Sequence, residues 1–157
     1  MPTHYRGDPR TVLALDTFIK FSRASDALDR RLARSEVTGD LTTSQFGVLE
    51  TLYHLGPLCQ GQISAKLLKS SGNVTLVLDN LEKRGLVERK REQADRRMVR
   101  IYLTPQGEEL IAQIFPRQAA AITAQFDVLT DHEQTELGRL CKKLGLGLGA
   151  APDSTNP

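Results

Sequence analysis

Residues 83–100 set eight basic side chains (Lys83, Arg84, Arg89, Lys90, Arg91, Arg96, Arg97, Arg100) against three acidic ones (Glu88, Glu92, Asp95). That stretch carries +5, so with a whole-chain charge of +2 the remainder carries −3. A cationic patch on a mildly acidic body suits a ligand with a repeating anionic backbone, such as the phosphates of a nucleic acid. Just before it, Asn73, Thr75 and Leu76 are spaced to lie on the outward face of one helix. Asn can pair bidentately with adenine, and Thr and Leu can touch a thymine methyl group. Ser70 and Ser71 at the start of that helix can cap it and offer hydroxyls to a phosphate, which the positive end of the helix dipole also attracts. A solvated charged face and an ordinary amphipathic helix are the plainer explanations of each feature taken singly.

Other chemistries are thinly supplied. His4, His54 and His132 are scattered, and neither metal-ligand spacing nor a nucleophile-base pair can be assembled from them. An enzyme is therefore not expected, and no cofactor or metal is called for. Cys59 and Cys141 are too few and too far apart for a disulfide scaffold or a metal knuckle. Cys59 falls at a helix start, where the dipole stabilises a thiolate, and so is the redox candidate; an inert small side chain competes with that role. Cys141 falls on an apolar stripe, as core or subunit interface.

Hydrophobic periods define the elements that must position these groups. Ile63, Leu67 and Leu68, then Val74, Val77, Leu78 and Leu81, recur at helical spacing around the polar break Lys69-Ser70-Ser71-Gly72. The spacing predicts helices over about 60–68 and 72–84, the second stopped by Gly85. The period then becomes two, and 86–89 and 99–103 read as strands around a polar tip at 91–97. A tip carrying Arg89, Arg91, Arg96 and Arg97 is too charged to pack inside, and its length suits a wing that reaches a minor groove. Asp95 can support that wing by accepting a charge-assisted hydrogen bond from one of its arginines.

Upstream, residues 1–10 read as a polar, flexible arm and 11–36 as one long amphipathic helix carrying Phe18 and Phe21. Such a helix needs other helices to cover it, and a partner subunit is one source. Thr42 and Gln45 make a capping box for a helix bearing Phe46, Leu49, Leu52 and Tyr53, ended by Gly56-Pro57. Thr104-Pro105 opens another helix, in which Pro116 predicts a kink or local break. Thr130 and Glu133 open the last, with Leu137, Leu140, Cys141 and Leu144 on one stripe. Gly145, Gly147 and Gly149 are expected to fray it before a flexible tail at 147–157.

The 157 residues fit one domain with a core of its own, and a hydrophobic share of 39% with 25% charged residues describes an ordinary soluble chain. No signal-peptide pattern opens it, and no stretch approaches the ~20 apolar residues of a membrane span, so a cytoplasmic protein with no membrane partner is expected.

The segments LTTSQFGVLETL at 41–52, GPLCQGQISAKLLKSSGNVTLVLDNLEKRGLVER at 56–89, DRRMVRIYLTPQGEEL at 95–110 and LTDHEQTELGRLCKKL at 129–144 together resemble the MarR family of winged helix-turn-helix transcriptional regulators. The resemblance covers about residues 10–146, and its most specific piece is the recognition helix followed by the wing. It implies a mainly α (α+β) fold: a winged helix-turn-helix over 42–104 with a two-stranded β wing, flanked by dimerisation helices at 11–36 and 105–146. It further implies a homodimer, acting as a repressor, with both recognition helices and wings on a palindromic operator in double-stranded DNA. Ser70, Ser71, Asn73, Thr75 and Leu76 fall on the recognition helix, while Asp95 and Arg97 match the wing's Asp-x-Arg pattern, with Arg97 entering the minor groove beside Arg89 and Arg96. Release by a small phenolic or aromatic inducer is implied, with Phe21, Phe46, Leu49 and Tyr53 as pocket candidates. Cys59 departs from the Ser or Thr the family commonly has there, which leaves open an oxidation-sensing regulator. A winged-helix interaction module that does not read DNA is the alternative of another class, although it has no need of a +5 wing.

Overall fold

The computed structural model describes residues 3–67, 71–93 and 95–149. In chain order these form α1 (Pro9–Arg34), α2 (Thr43–Leu55), β1 (Leu58–Cys59), α3 (Gln60–Leu67), α4 (Ser71–Lys83), β2 (Val87–Arg91), β3 (Val99–Leu103), α5 (Pro105–Phe126) and α6 (Asp131–Gly149). The first compact unit ends at Ala121; the second, from Ile122 on, holds the end of α5 and α6. Among the described residues, no helix is long and apolar enough to cross a membrane.

The fold is mainly α with a small antiparallel sheet, as the family resemblance implies. The sheet has three strands in the order β1-β3-β2, where two were expected. β2 pairs with β3 from Val87↔Leu103 to Arg91↔Val99. The unforeseen β1 adds Leu58↔Ile101 and Cys59↔Arg100 on the other edge. Two residues are too few to show a strand's alternation, so β1 leaves no trace in the hydrophobic pattern.

One core serves the first unit. Val48 and Leu49 of α2, Ile63 of α3, Val74, Leu78 and Leu81 of α4, Ile101 of β3 and Ile111 of α5 are buried to within 1%. Leu67 and Val77 pack partly against that core, and Leu68 lies outside the described residues. Capping fixes where the elements begin. Thr42 and Gln45 exchange the two hydrogen bonds of a capping box. The Thr104 hydroxyl accepts from the Gly107 N–H at 3.0 Å and donates to the Gly85 carbonyl at 2.6 Å, tying the start of α5 to the end of α4. Gly85 itself sits at φ 70°, the left-handed turn that favours glycine after a helix.

Three expectations need correction. α1 begins at Pro9, because the Asp8 side chain caps it by accepting from the Thr11 N–H at 3.0 Å and proline suits a first helical position. Part of the expected arm is held as well: the Thr3 N–H donates to the Asp16 carboxylate. Of the kink or local break expected at Pro116, the break is absent: α5 runs on to Phe126, and Ala112, whose carbonyl loses its helical donor there, is exposed, so solvent can take the donor's place. α6 continues through Gly145 and Gly147 to Gly149. A glycine costs a helix interior only about 1 kcal/mol relative to Ala, less than the loss of neighbouring turns.

α1 stands apart energetically: none of its 26 residues is buried. Leu13, Phe18 and Phe21 are 69%, 65% and 47% exposed. In the second unit, Leu137, Leu140 and Leu144 of α6 are likewise exposed.

Candidate nucleic-acid interface

The rotation of α4 about its own axis is set by its core residues. With Val74, Leu78 and Leu81 fully buried and Val77 partly so, Asn73, Thr75, Leu76 and Asn80 are left facing solvent. Leu76 is 63% exposed, an apolar side chain presented outward. The Thr75 hydroxyl accepts a hydrogen bond from the side-chain amide of Gln60, the first residue of α3. α3 therefore braces the outward face of α4. Ser70 lies outside the described residues, and Ser71 is described only as the first residue of α4.

Cys59 occupies the position just before α3, half-buried, and its backbone N–H donates to Gln62 Oε1 at 3.0 Å. This is half of a capping box: Gln62 reaches back as the third helical residue should, while a thiol stands where a capping hydroxyl would accept. Cys59 and Cys141 are both free thiols.

In the wing, strand alternation decides which cations face the body and which face out. Val87 is buried, so two residues on Arg89 returns to the inward face, opposite the buried Ile101. Its guanidinium meets α4, pairing with Asp79 at 2.6 Å and also with Glu82. The Arg89 backbone N–H donates to Glu82 as well, at 3.2 Å. The two carboxylates hold the guanidinium above the usual arginine range, against a desolvation that opposes them. Arg89 is thus a clip between the wing and α4, where a backbone-contacting cation at the tip was expected. Asp79, half-exposed on α4, turns to meet it.

Other wing cations are also engaged. Lys90 pairs with Glu88 and lies 5.2 Å over the Tyr102 ring. Arg100 pairs with Glu92 and donates to the Pro57 carbonyl at 3.3 Å. Arg84 pairs with Asp40 at 2.8 Å. Of the eight basic residues, the side chains of Lys83, Arg91, Arg96 and Arg97 have no protein partner among the described residues. Three of those four lie at the wing tip. Asp95 supports the tip in a manner other than the one expected: its carboxylate accepts from the Arg97 backbone N–H at 2.9 Å and leaves the guanidinium outward. Its carbonyl accepts from the Met98 N–H at 2.9 Å, closing the turn.

The four pocket candidates do not converge. Leu49 is fully buried core, and Phe21 is half-exposed on α1. Phe46 lines a cleft of about 400 Å³ formed by α1, the loop after it, α2 and α5. Tyr53 lines a different one of about 240 Å³ beside Tyr102 and Glu108, its ring 6.5 Å from that of Phe115. Helical spacing showed that these residues share faces of their helices, and a shared face does not make a shared cavity.

The residues that reading the sequence overlooked are mostly partners. Asp79 and Glu82 lie three apart on α4, hence on one side, and the inward phase of Arg89 follows from Val87. The signal was therefore present, although charge counting alone assigned Arg89 to the ligand. Gln60 and Gln62 carried no comparable signal, since a surface glutamine is compatible with any partner.

The MarR family model matches residues 41–99, from the last residue before the α2 cap to the first residue of β3. The chain is 36% identical over 133 residues to the HTH-type transcriptional regulator YkoM of Bacillus subtilis, covering 85% of this chain and 86% of that one. AbsC, a MarR family transcriptional regulator from Streptomyces coelicolor, superposes with a TM-score of 0.81 over 95% of this chain and all of its own, at 20% identity, and so speaks for the fold. BpsR from Bordetella bronchiseptica, whose DNA binding is regulated by 6-hydroxynicotinic acid, superposes with a TM-score of 0.69 at 26% identity over 82% of this chain and 98% of its own. With its winged helix-turn-helix, its outward-facing α4 and its cationic wing, the chain belongs to the MarR family of DNA-binding transcriptional regulators, which are not enzymes.

Proposed function

We propose that the protein is a homodimeric repressor that holds a palindromic operator with α4 and the wing of each subunit and leaves it when a small molecule binds. One observation carries the DNA geometry: four cations without a protein partner among the described residues, three of them at the tip of a wing clipped to α4. Asn73, Thr75 and Leu76 are the residues assigned to base edges, and Arg96 and Arg97 to the phosphates and minor groove beside them. Two-fold symmetry would set the half-sites about one DNA turn, ~34 Å, apart. The dimer is supported by the open apolar faces of α1 and α6, which leave Phe18, Leu140 and Leu144 about half exposed or more. Patches of that kind mark subunit contacts. Release by a ligand is supported by likeness to BpsR, whose regulator is an aromatic acid.

Titration against operator fragments at several salt concentrations tests the DNA reading. Four cations per subunit, all on phosphate, would give a slope of log K against log salt near −7 for the dimer, from ~0.9 per contact. Salt-insensitive binding, or none, would favour a winged-helix interaction module. Phe18→Glu with Leu140→Glu should dissociate the dimer in sedimentation and abolish operator binding; an unchanged sedimentation coefficient would sink the dimer assignment.

A further inference from the structure

The outward face of α4 is short of the groups that read G·C pairs. Residues 71–82 of α4 include no Lys or Arg, the side chains that pair bidentately with guanine. Its two carboxylates, Asp79 and Glu82, are both on the Arg89 guanidinium, so neither is set to accept from a cytosine amino group. What α4 does present outward is apolar. A helical side chain leans toward the helix N-terminus, so the exposed Leu76 covers the turn that holds Gly72 and Asn73. Among the described residues, a Cβ at Gly72 would meet nothing within 4 Å outside its own stretch of helix, so packing does not require glycine there. The side chain it lacks leaves room for a base pair to come up against Leu76. Beside Leu76, Thr75 is exposed, with its hydroxyl drawn toward α3 by the hydrogen bond from Gln60 at 2.5 Å. Its other branch is a methyl group, and a side chain branched at Cβ cannot turn one branch without the other.

Resting on the DNA reading above, we propose that α4 selects its half-site through the 5-methyl groups of thymine, with Leu76 and the Thr75 methyl as the specificity-determining contacts and Gln60 as the residue that positions the second of them. The half-site then carries thymine at the one or two positions that meet Leu76 and Thr75 in the major groove. Apolar contact of this kind needs no hydrogen bond from the protein. Removing a methyl from the DNA should therefore weaken binding as removing its partner from the protein does.

An operator is first selected from random DNA with the intact protein. Each of its thymines is then replaced, in both half-sites, by deoxyuridine, which keeps every hydrogen-bonding group of the base and loses the methyl. Affinity is read by fluorescence anisotropy at one salt concentration. At one or two positions the replacement should weaken binding about 4-fold for each half-site, the worth of one buried methyl at ~0.8 kcal/mol, and so about 15-fold for the symmetric operator. Leu76→Ala should weaken binding to the thymine operator and cut the deoxyuridine penalty at its own position to under ~2-fold per half-site, since either change alone already breaks the contact. Thr75→Ala should do the same at the neighbouring position, and Gln60→Ala should reduce the penalty at that position alone. Leu76 is exposed, so Leu76→Ala should leave the melting temperature unchanged. A selected operator indifferent to deoxyuridine at every position, or a penalty undiminished in both Leu76→Ala and Thr75→Ala, would overturn methyl reading and leave DNA binding standing. Enrichment of no sequence at all would overturn the DNA reading and methyl reading with it.

Discussion

Arg89 is the cation whose role the structure redefines most sharply, and its removal separates two explanations of a basic wing. If it contacts DNA phosphate, losing it should reduce the salt dependence of binding; if it clips the wing to α4, the salt dependence should stay while stability and affinity fall. Arg89→Met with Asp79→Asn deletes one charge of each sign and leaves the net charge unchanged. The Arg89 side chain is 26% exposed, while Asp79 and Glu82 are 45% and 40% exposed. Fully exposed pairs contribute about 0–1 kcal/mol and buried charge-assisted hydrogen bonds about 1.5–3, so with partners this solvated the clip stabilises by about 1–2 kcal/mol in total. That corresponds to a melting temperature lower by about 2–8 °C for a chain of this size. A wing freed from α4 must be ordered again on binding, which at a similar cost weakens operator affinity about 5- to 30-fold.

The assay is operator binding by fluorescence anisotropy between low and moderate salt, alongside Arg97→Ala as the reference. Arg97 is exposed, and its backbone N–H donates to the Asp95 carboxylate. Its loss should reduce the salt slope by ~0.9 per subunit. The Arg89 double variant should shift the whole line down without changing its slope. A slope reduced as much as in Arg97→Ala, with melting unchanged, would show that Arg89 works on the phosphate backbone and that the clip is incidental.

Three further outcomes follow from other contacts. Gly107→Ala places a Cβ 2.0 Å from the Leu86 carbonyl oxygen, a backbone atom that cannot step aside, so a loss of ~3 kcal/mol or more is expected in urea denaturation; a loss under ~1 kcal/mol would mean that the start of α5 can move. Gln60→Ala withdraws the brace on the Thr75 hydroxyl and should broaden the base preference in selection from random DNA, as Thr75→Ala should; an identical consensus would remove Thr75 from base reading. Hydrogen bonds from the Thr130 N–H and hydroxyl hold Glu133 below the usual carboxylate range. This cap is therefore fully effective above the ordinary glutamate value and weakens as pH falls through the lowered one, so amide protection factors in the first turn of α6, corrected for intrinsic exchange, should fall over that acid range, and Glu133→Gln should blunt that dependence.

Much of this architecture was legible because it is written in local spacing. The capping pairs Thr42/Gln45 and Thr130/Glu133, the stop at Gly85 and the switch from helical to strand period after it each depend on residues within a few positions of one another. The core face of α4 was legible for the same reason, since Val74, Leu78 and Leu81 repeat at the period of the helix. What could not be read was pairing across the fold. β1 exists because β3 offers it an edge at Ile101 and Arg100, and nothing in Leu58-Cys59 alone announces that. Phe21, Phe46, Leu49 and Tyr53 share a pattern yet fall into solvent, one cleft, the core and another cleft, because the pattern records orientation about a helix and not what the neighbouring helix leaves open. Arg89 joins the two kinds of information. Its phase within β2 is local and points inward; its partners are ten and seven residues upstream on a helix whose rotation the core sets. A net charge of +5 over residues 83–100 therefore overstates what the wing has free for DNA. Arg84, Arg89, Lys90 and Arg100 are held by carboxylates of the protein, and the cations without a protein partner among the described residues are Lys83, Arg91, Arg96 and Arg97. The engaged arginines hold the shape of the wing, and that shape is what leaves the others turned to solvent, where the proposed function puts the DNA.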